Sequence, residues 1–168
     1  MMKKETPVPP AEKKYQLFEG FAVGSESRKL QLLLIPLGLF GLMGVLWAIP
    51  FPQLKFLGEY NAYFNWASFF IAVIIYVHLK MSPLVSYLLL FMLFAFSYGI
   101  IQLEQWHEQG GLSVALVAGI VLLIFLSAEW ILYTKVKEKY QAASFITTIV
   151  NSPTWLMVVL AKKLKMNY

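Results

Sequence analysis

Long apolar runs without charge alternate with short polar segments along this chain, and they set its expected architecture. The first run, 30–49, holds no charged residue and follows a lysine-rich polar stretch. Runs at 62–79, 83–103 and 112–134 follow, the last holding one charged side chain, Glu129. A membrane-spanning helix needs roughly 17–25 mostly apolar residues, so each run fits. The runs are apolar all round, as befits helices that face lipid on one side and each other on the other. The expected fold class is all-α: an integral membrane bundle with four transmembrane helices.

A fifth apolar run, 145–160, is different. It is short for a span and carries Asn151-Ser152-Pro153 in its middle. Proline removes a backbone donor and disfavours helix in the residue before it. A broken, re-entrant or interfacial segment is therefore expected there, buried in protein or at the interface. Residues 1–14 are polar, with Pro7, Pro9, Pro10 and two lysine pairs, and are expected to form a disordered tail. That leaves 15–168 as one membrane domain. No small-residue cleavage site follows the first apolar run, so this run is expected to stay in the mature protein.

Composition agrees with the pattern. Hydrophobic residues make up 59% of the 168 and charged residues 14%, against about 25% charged in a soluble domain. This excludes a disordered chain and an ordinary cytosolic enzyme. The net charge of +5 invites a nucleic-acid reading, which fails on placement. Lys3, Lys4, Lys13, Lys14, Arg28 and Lys29 precede the first run, and Lys80 follows the second. Lys135, Lys137 and Lys139, then Lys162, Lys163 and Lys165, follow the fourth and fifth. With four spans, only Lys55 lies on the opposite side. Positive residues mark the cytoplasmic face, so a multi-pass protein with both termini cytoplasmic is expected, in the inner membrane if the cell is bacterial. The lysine clusters suit an anionic lipid surface, and no nucleic acid is expected. Cysteine is absent, which excludes disulfides, thiolate metal sites and cysteine nucleophiles.

Helix packing has its own signals. Trp47, Trp66 and Trp106 near one set of run ends, and Trp130 near the other, read as an aromatic belt. Gly38, Gly41 and Gly44, spaced by three, let a neighbouring helix approach closely, as do Ala115 and Gly119. Either packing within the bundle or contact with a second copy would use them.

Chemistry-bearing residues are few. Glu129 is the one acid well inside an apolar run, and such a residue is a functional candidate by default. Tyr133 lies one helical turn further on the same face. Glu129 and Tyr133 are the candidates for catalysis, and Gln31, Glu129 and Tyr133 those for ligand binding at the cytoplasmic mouth of the bundle. Buried amides such as Gln31, Asn65 and Asn151 need hydrogen-bond partners. His78 and His107 fall at opposite ends of the expected bundle, about 30 Å apart, and cannot share a metal. Glu104-x-x-His107-Glu108 reads as a solvated loop. No metal site and no cofactor are expected.

Two stretches carry a resemblance. One is Arg28-Lys29-Leu30-Gln31, Ile35-Pro36 and Leu46-Trp47-Ala48-Ile49-Pro50-Phe51-Pro52. The other is Ser152-Pro153-Thr154-Trp155-Leu156, running to Lys162-Lys163-Leu164 and Tyr168. Together they resemble the 2-hydroxy fatty acid dioxygenase-like family of small multi-pass membrane proteins, over roughly residues 15–168. The resemblance implies iron-dependent shortening of 2-hydroxy fatty acids by one carbon. Yet the histidine motifs of that family are missing. Ala22 and Gln31 stand where its early histidines fall, with Ser27 at its asparagine. Later, Glu129, Leu132, Tyr133 and Val136 stand at its glutamine, glycine, histidine and acidic positions. A non-haem iron centre needs several His or carboxylate ligands together, so that site carries over to no residue here.

The expected function is a non-catalytic membrane protein on this frame, a lipid-binding or accessory subunit. Its partners would be membrane lipids and either another protein or a second copy. An enzyme of lipid metabolism with an altered site is the alternative, and a small transporter or channel is a third. The spans offer almost no polar groups to line a channel.

Overall fold

A computed structural model describes residues 9–24, 28–140 and 144–166 of the chain. Six α-helices make up the described residues, without a strand: α1 Pro10–Gly24, α2 Arg28–Ala48, α3 Trp66–Leu79, α4 Pro83–Glu108, α5 Val114–Tyr140 and α6 Phe145–Lys163. A short 3-10 segment, Lys55–Tyr63, links α2 to α3.

The all-α class expected from the apolar runs is what the chain adopts, and four helices are long and apolar enough to cross a membrane. They are α2, α4, α5 and α6. The second expected span is shorter than its apolar run, because Ala62 falls in the 3-10 segment and helix starts only at Trp66. At 1.5 Å per residue, the 14 residues of α3 rise about 21 Å. Asn65 sets that start: its side chain accepts from the Ser68 amide at 2.9 Å while the Ser68 hydroxyl accepts from the Asn65 amide at 3.1 Å. This reciprocal cap satisfies two donors that the first turn would leave open.

Helices α2 to α5 run antiparallel in sequence order. Gln31 meets Glu129 near one end of the α2–α5 pair, and Trp47 meets Glu104 near the other end of α2. The glycine stripe of α2 lies on α5. A Cβ on Gly41 would stand 2.8 Å from the Leu122 backbone nitrogen, and one on Gly44 would stand 2.5 Å from the Ala118 Cβ. Only glycine lets two backbones approach that closely. Ala118 takes the role expected of Ala115, which is exposed, and Gly119 has nothing within 4 Å of its would-be Cβ.

The fifth apolar run corrects its expectation. It is one continuous helix, α6, running through Pro153. Pro153 cannot donate to the Ile149 carbonyl four residues back, and the Ser152 hydroxyl donates to that oxygen instead at 2.7 Å. A local hydroxyl thus re-satisfies the acceptor that proline strands, and the helix has no reason to break. Most of α6 is buried, including Trp155, Met157 and Val158.

The expected tail is corrected in part as well. Residues 1–8 lie outside the described residues, but Pro10–Lys14 are the first turn of α1. Proline suits a first helical position, where its missing N–H is no loss. Ala11, Phe18, Phe21 and Ala22 then recur on one face and are buried. That face packs along α6 in antiparallel sense. Lys162 pairs with Glu12 at 3.3 Å and lies 3.6 Å from the Tyr15 ring centre, while Trp155 Nε1 donates to Glu19 at 2.5 Å. Arg28, the first residue of α2, holds the other oxygen of Glu19 and lies over the Trp155 ring. The α1–α6 pair therefore sits at the bundle end where α2 begins and α3 ends.

Candidate functional site

Two polar places stand out in the apolar bundle, one sealed and one open. The sealed one is the Gln31–Glu129 pair on the α2–α5 seam. Gln31 Nε2 donates to Glu129 Oε2 at 3.1 Å, and the two residues are 0% and 2% exposed. Gln31 Oε1 and Glu129 Oε1 are both buried, without a hydrogen-bond partner among the described residues. Among the three residues expected to bind ligand, the structure brings these two together. Tyr133 lies one turn beyond Glu129, and its ring packs against Trp130 and Phe145. No hydrogen bond joins it to Glu129 among the described residues.

The open place is a cavity of about 440 Å³ between α3 and α5, with α2 behind it and α6 across one end. That volume lies within the usual range for ligand pockets, and such pockets are mostly apolar with a few placed polar groups. Leu39, Leu42, Phe70, Ile74, Phe125 and Leu126 supply much of its wall. Gly38 lines it too. The Phe125 ring occupies the space in front of Gly38, with ring carbons 2.5 Å from where a Cβ would stand. Val73 and Val77 of α3 and Val150 of α6 are exposed at the rim. The cavity therefore opens sideways between helices.

Polar groups gather at one end of this cavity. Lys14 of α1, His78 at the end of α3 and Ser152 of α6 line it there. His78 is held rigidly. Its Nδ1 lies 2.7 Å from the Ile74 carbonyl, which can only accept, so Nδ1 carries a proton. In the neutral ring Nε2 then accepts from the Thr154 hydroxyl, 3.0 Å away. Ser152 is committed to the Ile149 carbonyl. Gln31, Glu129 and Tyr133 are not part of the cavity wall, but Ile35 and Phe125, one turn from the first two, are.

His107 lies elsewhere, in the last turn of α4. The expected loop at 104–108 is helix. Glu104 accepts from the Trp47 indole at 3.3 Å, and His107 Nδ1 donates to the Gly111 carbonyl at 3.1 Å. Among the described residues, no three of His, Cys, Asp and Glu gather at one point.

Lys14 and Thr154 were not legible as site residues in the sequence. Lys14 reads as one lysine of a polar tail. The polar Ser152-Pro153-Thr154 step in an apolar run is the one signal that could have pointed to Thr154.

Comparisons of the chain with family models, with curated proteins and with solved structures give no match.

Proposed function

We propose that this chain is a lipid-binding membrane protein without catalytic activity, acting as an accessory subunit, in the inner membrane if the cell is bacterial. The observation that carries the reading is the apolar cavity of about 440 Å³ between α3 and α5. Its open side faces where bilayer lipid would lie if α2, α4 and α5 cross the membrane. An acyl chain would exchange methylene contacts with lipid for contacts with Phe70, Ile74, Phe125 and Leu126. The charge distribution supports both termini on the cytoplasmic side. The non-catalytic part rests on Ala22, Gln31 and Tyr133, which stand where the family resemblance calls for iron-binding histidines.

Native mass spectrometry of the full chain extracted from its own membrane tests this reading. A bound lipid is expected, together with a partner protein or a second copy. Val73→Trp, which fills the rim of the cavity from its exposed side, is expected to remove the lipid. A chain that runs alone, without lipid or partner, would overturn the proposal.

A second reading draws on the sealed pair. Two buried oxygens without partners, on Gln31 and Glu129, are what an altered active site of a lipid-metabolising enzyme would keep. Metal analysis together with turnover of 2-hydroxy fatty acids separates the two readings. Stoichiometric iron with product formation favours the enzyme.

A further inference from the structure

The cavity is apolar along its length and cationic at one end. Lys14 is half-buried at that end, whereas its neighbour Lys13 is exposed and lies outside the cavity wall. The other polar groups nearby are already committed to each other or to backbone: His78 to Ile74 and Thr154, and Ser152 to Ile149. The Lys14 ammonium has neither an ion pair nor a hydrogen bond among the described residues. A half-buried cation at one end of an apolar cavity is complementary to an amphiphile with an anionic head.

The size of the cavity suits one tail. At the ~30 Å³ that one water-sized group occupies in a liquid, about 440 Å³ holds roughly fifteen such groups. That is the scale of a single acyl chain.

We propose that Lys14 receives the anionic head of a single-chain lipid whose tail fills the cavity between α3 and α5. The head site is thus on α1, separate from Gln31 and Glu129. The proposal rests on the lipid-binding reading and adds to it the charge of the ligand and the residue that recognises it.

Three probes with one chain length separate head from tail: laurate, dodecyl phosphate and dodecanol. Their binding to the full chain in phosphatidylcholine nanodiscs is measured against empty nanodiscs. The two anions are expected to bind more tightly than the alcohol. Lys14→Ala is expected to weaken both anions about tenfold, as loss of one charge-assisted hydrogen bond does, and to leave dodecanol unchanged. Lys14→Arg keeps the preference, because it keeps the charge. Lys13→Ala also keeps it, which sets a local site apart from a general surface field. A Lys14 effect on only one of the two anions supports the site and names its head group. An anion preference that survives Lys14→Ala, or that Lys13→Ala abolishes equally, overturns the proposal while leaving the lipid reading in place. Equal binding of all three probes to the wild type does the same. Failure of every probe to bind removes the lipid reading itself, and this proposal with it.

Discussion

The Ser152 hydroxyl donates at 2.7 Å to the Ile149 carbonyl, the oxygen that Pro153 leaves without its helical donor. Loss of one partner strands a buried acceptor, which costs about 1–3 kcal/mol. Ser152→Ala is therefore expected to lower the thermal midpoint of the protein in detergent. Pro153→Ala in the same chain restores a backbone N–H to Ile149 and is expected to recover most of that loss. A double variant no more stable than Ser152→Ala would refute the pairing.

The glycines of α1, α2 and α5 are not equivalent. Gly41 faces backbone at 2.8 Å, while Gly119 and Gly20 have nothing within 4 Å. Gly41→Ala forces the α2–α5 seam apart and is expected to destabilise by about 1–3 kcal/mol, the usual cost of overpacking. Gly119→Ala and Gly20→Ala gain helix propensity and are expected to be neutral or stabilising by up to ~1 kcal/mol. Thermal unfolding of the three variants, side by side, checks the order.

Gln31 and Glu129 should behave as a unit. Gln31→Leu leaves the Glu129 carboxyl buried without that donor and is expected to destabilise by about 1–3 kcal/mol. Replacing both with Leu removes the stranded group and is expected to be less harmful than the single change. Additive losses in the double-mutant cycle would show that the two side chains do not interact.

Glu19 ties three helices together, since Trp155 and Arg28 each hold one of its oxygens. Glu19→Ala is expected to loosen α1 from α6 without unfolding α2 to α5. Hydrogen exchange should then rise in residues 10–24 and 145–163 while the α2–α5 seam stays protected. Uniform exchange across all six helices would contradict this.

Much of the fold was legible because apolar runs state their own length. The apolar runs marked both ends of α2 and the starts of α4 and α5 to within two residues, while α4 and α5 continue five and six residues beyond their runs. The rest is hidden where a local side chain overrides a general rule. Pro153 signals a break, and only the proximity of Ser152 Oγ to Ile149 cancels it. Pro10–Lys14 look like tail because the face of α1 that matters, Phe18 and Phe21, is buried by a helix more than a hundred residues away. For the same reason Gln31 and Glu129 could be singled out as polar intruders while Lys14 could not. A lysine among lysines shows its role only once the packing of α1 takes it to the edge of a cavity.

The antiparallel docking of α1 along α6 has a consequence for biosynthesis. Residues 10–24 leave the ribosome long before residues 145–163, so the apolar face of Phe18 and Phe21 must wait through the making of the whole bundle. The contact between the first and last helices has the greatest sequence separation in the fold, and its loop-closure cost falls due last. Synthesis of α6 and burial of that face therefore coincide. A polypeptide that stops short of Trp155 would display an unclaimed hydrophobic helix at its own start, which quality-control factors can recognise.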